Sequence, residues 1–236
     1  MGTDGVVAAG VATSAVIRVS GRSNRIELSG EPGAVLTVDG GHVTWRNDGS
    51  IDITPHQGSG RNTIRIVCPE HSHVVLSTAS GSVHVHGHVA DVKVITQSGS
   101  VEIERAVDVD VRTMSGRVLI GSCVHSCRVV TKSGTVSVGA AHDIGVSTTS
   151  ARVEVGRTAL AAVQTISGSV SVGCEDCATV TARSMSGTVE ITLPSGSPAT
   201  MHLATTSGRI RRDVADGEGA TLEVQTTSGA IRIASR

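Results

Sequence analysis

From residue 80 onward a Ser-Gly pair returns at nearly constant intervals, and that recurrence leaves few folds open. The serines are Ser80, Ser98, Ser115, Ser133, Ser150, Ser167, Ser186, Ser207 and Ser228, at spacings of 18, 17, 18, 17, 17, 19, 21 and 21. Ala151 alone replaces the glycine. On either side of each pair, apolar and polar residues alternate, as in VKVITQSGSVEI and CRVVTKSGTVSV. Period-two alternation on both sides of a fixed bend is the pattern of strand, corner, strand; nothing in the unit follows the 3.6-residue period of a helix. The aliphatic positions fall into columns. Three and five places after the serine stand Val83/Val85, Val101/Ile103, Val118/Ile120, Val136/Val138 and, in the last repeat, Ile231/Ile233. Six and four places before it stand pairs such as Val74/Leu76, Val92/Val94 and Leu222/Val224.

A repeat of this length holds two short strands and two corners, so successive coils pair in parallel at roughly 4.8 Å per step. The sequence therefore predicts an all-β, single-stranded parallel β-solenoid of nine regular coils, roughly 40 Å long at that spacing. Composition supports a narrow interior. The 236 residues include no Phe, no Tyr and one Trp, Trp45, so no large side chain is available to fill a wide core. The 28 glycines are scattered rather than clustered, which fits a recurring corner better than a linker.

Two columns carry separate expectations. Thr78, Thr96, Thr113, Thr131, Thr148 and Thr165, two places before the serine, share parity with the core and form an inward hydroxyl ladder bonded to itself or to the turning backbone. Gly81, Gly99, Gly116, Gly134, Gly168 and Gly187 mark a corner where Cβ is unwelcome. Residues 1–68 carry strand-like pieces around Ile26, Val35, Ile51 and Ile64 outside the Ser-Gly register. They are assigned to irregular N-terminal coils and a cap, with Trp45 a candidate plug, and 69–236 to the regular coils of the same continuous domain. The last coil ends at AIRIASR, so Ile231 and Ile233 are expected to line an open interaction edge.

The stretch IRIVCPEHSHVVLSTASGSVHVHGHVADVKVITQSGSVEI resembles the opening of the bacterial candidate-adhesin, or Toastrack-like, β-solenoid domain family, formerly a domain of unknown function. A strand ending in Pro69 leads into coils of the form V-x-T-x-S-G-x-V-x-V, and the resemblance runs from Ile64 to Arg236. It implies the solenoid fold, no established catalytic motif, and links to cell-envelope stress systems, membrane-anchored sensors and surface proteins.

Chemistry is sparse beside this. His84 and His86 alternate outward on one strand, with His88 beyond them and His71 and His73 in the lead-in, so His84, His86 and His88 are the candidate metal ligands. Cys123/Cys127 and Cys174/Cys177 sit in equivalent corners, but three coils, or roughly 14 Å, separate the pairs and rule out a four-thiolate site. Cys127 also falls in an inward column, as a small buried hydrophobe. Outward acids such as Glu102, Glu154 and Glu190 lie two or three coils apart, too far for a glycosidase pair. A net charge of −1 without a basic run argues against nucleic acid. The opening residues suit neither a signal peptide nor a membrane span, so a cytoplasmic location without direct membrane insertion is expected. These readings converge on a non-enzymatic scaffold without cofactors that binds proteins, copies of itself by end-to-end packing among them. A ligand- or metal-sensing module is the alternative, and a surface adhesin a further one.

Overall fold

A computed structural model describes residues 15–56 and 63–236, apart from the side chains of Asp176 and Cys177. The chain's opening segment and most of the HQGSGRN turn lie outside the described residues. The chain divides into two compact units, Met1–Ser122 and Cys123–Arg236. Among the described residues both are built of β-strands and turns, with no helix. Each is a stack of parallel strands of the β-solenoid type, because every alternating segment finds an identically spaced partner on a neighbouring coil.

In the first unit, β1 (Val16–Gly21) and β2 (Arg25–Glu31) form one coil. Two short strands, β3 (Thr37–Asp39) and β4 (Gly41–Trp45), follow. Then come β5 (Ile51–Pro55), β6 (Thr63–Pro69), β7 (His73–Thr78), β8 (Val83–Ser98) and the first part of β9 (Val101–Ser167). Strand β9 runs through several coils, its corners bending without breaking the ladder. The registers stack Ile51, Ile17, Val74, Val92 and Val109 in one column and Ile53, Val19, Leu76, Val94 and Val111 in the next. On the other strand of each coil, Ile64, Ile26, Val83 and Val101 align, as do Ile66, Leu28, Val85 and Ile103. All are buried, which makes the interior dry and aliphatic. At roughly 1.5–3 kcal/mol per buried aliphatic side chain, these columns are the main stabilising term.

Chain order and spatial order differ here. The β1–β2 coil is paired on one side with β7 and β8 and on the other with β5 and β6. The outer coil, β5–β6, is then covered by antiparallel strands, β4 on β5 and β3 on β6. A parallel stack closed by an antiparallel pair has lost its template for another parallel coil. Trp45 does not plug this end: it lies on β4 opposite Ile51 and is 46% exposed.

The second unit contains the rest of β9, then β10 (Val170–Ser186), β11 (Val189–Leu193), β12 (Ala199–Thr205), β13 (Ile210–Arg212), β14 (Ala220–Thr226) and β15 (Ile231–Ser235). Columns run Val153, Val170, Val189, Ile231, Ile210 and Val163, Ala182, Val224, Leu203. The order is again not sequential. Strand β14 lies between β10 and β12, and β15 between β11 and β13. Ile231 and Ile233 are therefore not an edge. Both are 1% exposed and flanked by strands on each side. The outermost coil is the earlier one, β12–β13.

The glycine corner has a direct cause. A Cβ on Gly99 would stand 2.2 Å from the Gly81 carbonyl oxygen, and one on Gly116 would stand 2.0 Å from that of Gly99. Gly168 and Gly187 meet the carbonyls of Ala151 and Gly168 at 2.1 and 2.0 Å, and Gly81 meets that of Asn24 at 1.8 Å. Backbone rides on backbone at the corner. Gly99, Gly116, Gly134 and Gly187 add positive φ of 145°, 141°, 121° and 154°, where a side chain is strained.

Candidate functional site

The threonine column is inward and buried, and it is satisfied unevenly. The hydroxyls of Thr96, Thr113 and Thr131 donate to the carbonyls of Ser98, Ser115 and Ser133 at 3.3, 3.1 and 2.9 Å. Thr78 donates to the Arg22 carbonyl and accepts from the Gly81 amide. Thr148, Thr165, Ser184 and Thr226 present buried hydroxyls with no hydrogen-bond partner. The bonds run to backbone within each coil or to the coil beside it, so this seam locks corners and offers nothing to a ligand.

The histidines are brought near one another without converging. His84 and His86 stack with ring centroids 6.2 Å apart, while His88 faces His71 edge-on at 6.4 Å. Carboxylates on the next coil claim two of the histidines separately: His84 Nδ1 lies 3.2 Å from Glu102, and His73 Nδ1 lies 2.5 Å from Asp91. A β-bulge between Val85 and His88 shifts the register and turns His88 away from the His84/His86 row. Among the described residues no group of three or more His, Cys, Asp or Glu side chains is placed to hold a metal.

Two of the thiols are held protonated by their environment. Cys68 is buried, and desolvation pushes its pKa up to about 11. Cys127 is buried in the aliphatic column, and its hydrogen bond with Cys123, together with burial, pushes its thiol far up. Cys123 donates to the Ser126 carbonyl at 3.1 Å. Cys174 is disulfide-bonded, and the Cys177 side chain lies outside the described residues.

What remains is the outermost coil of the second unit. Strand β12 pairs only with β14 along its length, save for a bridge from Ala199 to Asp216, and β13 pairs only with β15. Core-parity residues Met201 and Leu203 are half-buried and Ile210 is 39% exposed, where their counterparts one coil inward are fully covered. The column Val155, Val172, Ile191, Ile233 ends in Arg212, whose guanidinium bonds Asp216 at 2.9 Å. A charged pair thus closes one aliphatic column while its neighbours stay open. The sequence carried that signal: Arg212, five places after Ser207, stands where other coils place Val or Ile.

Residues 124–236 match the family model described as Toastrack DUF4097. The C-terminal half is thus similar to a Toastrack domain. Among solved structures, a candidate adhesin from Bacteroides fragilis is 12% identical with a TM-score of 0.52, covering 97% of this chain and 94% of its own. That likeness is one of fold, and it extends to the coils preceding the Toastrack match. A candidate cell adhesion protein from Clostridium sporogenes is also 12% identical, covering 94% and 92%, with a TM-score of 0.24. No curated protein matches the sequence. No helix of the described residues is long and apolar enough to cross a membrane.

Proposed function

We propose that this chain is a non-enzymatic interaction scaffold that docks a protein partner, a second copy of itself in the simplest case, on the free side of β12 and β13. One observation carries the reading. The outer coil of the first unit is covered by the antiparallel pair β3 and β4, whereas the outer coil of the second offers strand edges and half-exposed Met201, Leu203 and Ile210. An uncovered parallel edge recruits another strand through main-chain hydrogen bonds, and the apolar side chains of matching parity supply the affinity. The adhesin-like fold of the Bacteroides relative is consistent with a surface that binds rather than reacts. Docking of this kind needs no cofactor.

Sedimentation velocity across a wide concentration range tests it. The native chain is expected to associate reversibly, and Leu203→Lys with Ile210→Lys to shift it to monomer while leaving the far-UV circular dichroism unchanged. A native chain that stays monomeric at every concentration, or association that the double variant leaves intact, refutes the proposal.

A further inference from the structure

The flank of the same outer coil carries a feature that strand docking does not use. Arg209 and Arg211 lie two apart on one strand, so they project to the same outward side roughly 6.6 Å apart. The Ile231 amide donates to the Arg209 carbonyl at 2.9 Å, which extends the ladder to that residue. Arg211 is in register with Arg232 on β15, one strand away, and Arg232 is in register with Glu190. These arginines line a groove of about 430 Å³ together with Thr188, Ala230 and Ile231.

The charges of this groove do not balance. Arg232 reaches Glu190, Nη1 to Oε1 3.7 Å, and is the one arginine of the three with a carboxylate. Among the described residues Arg209 and Arg211 have no ion pair and no side-chain hydrogen bond, and both are exposed. Three guanidiniums against one carboxylate leave a local charge of +2. Like charges side by side on adjacent strands cost stability, so the arrangement works against the fold unless something fills it. The positive row is also short. Asp213, next outward after Arg211, is not part of the lining and ends it. An extended polyanion would run into that carboxylate; a short one would not.

We infer that this groove binds a small, multiply charged anion, a compact molecule with two or three phosphate or carboxylate groups, gripped by Arg209, Arg211 and Arg232. Guanidinium is suited to the task, since its planar fork gives paired hydrogen bonds to either oxyanion. Thr188 adds a hydroxyl, and the exposed Ala230 gives the carbon or ester skeleton between the charged groups an apolar contact. The groove falls in the size range of small-ligand sites. The inference stands apart from the docking edge, because these side chains belong to the outward row and not to the free side of the strand.

Isothermal titration calorimetry of the full chain at low salt tests it with two probes, inorganic pyrophosphate and citrate, in separate arms. Saturable one-to-one binding of at least one probe is expected, weakened about tenfold or more by Arg209→Gln with Arg211→Gln. Arg232→Gln is expected to weaken it as well, and Arg209→Gln with Arg211→Gln is expected to melt no lower than the native chain, since it relieves like-charge repulsion. Binding of pyrophosphate alone assigns a phosphate ligand, and of citrate alone a carboxylate. Saturation by neither probe, or an affinity unmoved by the double variant and by Arg232→Gln, overturns the inference.

Discussion

Replacing Gly116 by Ala probes the corner on which the coils rest. The new Cβ would stand 2.0 Å from the Gly99 carbonyl oxygen and 3.0 Å from its carbon. Ordinary contact begins at roughly 3.5 Å, so the neighbouring carbonyl must retreat by more than an ångström. Nothing flexible can absorb that shift, because the obstacle is main chain held in a parallel ladder. Opening the spacing by that amount stretches one or two inter-coil hydrogen bonds out of range, at about 0.5–1.5 kcal/mol each. Alanine at φ +141° adds about 1–3 kcal/mol of backbone strain. The expected loss is thus about 1.5–6 kcal/mol. Gly33 isolates the backbone-strain part, since its φ is +67° with nothing within 4 Å of a built Cβ, and Gly33→Ala should cost about 1–2 kcal/mol. Both glycines lie in the first unit. Thermal melts followed by circular dichroism should place Gly116→Ala roughly 5–20 °C below the native chain, with Gly33→Ala much closer to it. Equal melting of the two variants would show that the carbonyl contact is not what reserves this column for glycine.

The threonine seam predicts opposite responses to one substitution. Thr113→Val removes a hydrogen bond to the Ser115 carbonyl and should destabilise by about 0.5–1.5 kcal/mol. Thr148→Val deletes a buried hydroxyl with no partner and should be neutral or stabilising; urea midpoints in the reverse order would contradict both. Cys68 makes a pH prediction. A thiol whose folded pKa is raised from 9.0 to about 11 stays protonated in the folded state while the unfolded thiol ionises. The folded state then holds the extra proton, so stability is fully present below pH 9 and falls as pH rises from 9 to about 11. Cys68→Ala should flatten the fall in melting temperature across that window, and an unchanged pH profile would refute the assignment.

The columns were legible because their cause is local. Alternation fixes which residues face inward, and a constant interval between corners puts Val83 on Val101 and Val153 on Val170 without knowledge of the rest of the chain. The glycine column was legible for the same reason, although only the structure identifies the opposing carbonyl. The order of the coils was not legible. Every coil presents the same aliphatic columns above and below, so the pattern that specifies register says little about which coil is the neighbour. The choice shows only in secondary signals. The interval lengthens to 21 residues on both sides of Ser207, and the extra length falls in the links Pro194–Pro198 and Asp213–Gly219, as turns and loop. Reading Ile231 and Ile233 as an edge assumed that chain order is spatial order. The arginine groove escaped for a related reason: Arg232 meets Arg211 only because β15 lies beside β13.

The reversal of coil order occurs in both units, and it changes what an edge strand costs. If β15 were outermost, the edge would be a segment held covalently at its N-terminal side alone. With β14 and β15 inserted inward, the outer coil β12–β13 is instead an internal segment, tied by a link at each end. Fraying such a coil releases less conformational entropy, because both ends remain fixed. The Asp216 bridge to Ala199 and the Arg212 pair with Asp216 hold the return link against it. The first unit solves the same problem by burying β1 and β2 between β5–β6 and β7–β8 and covering the outer coil with antiparallel strands. Only in the second unit is the outer coil both tethered and uncovered among the described residues. An edge that neither frays nor is capped keeps its unpaired main-chain groups in a fixed array, which is the condition for recognising another strand without first paying to order itself.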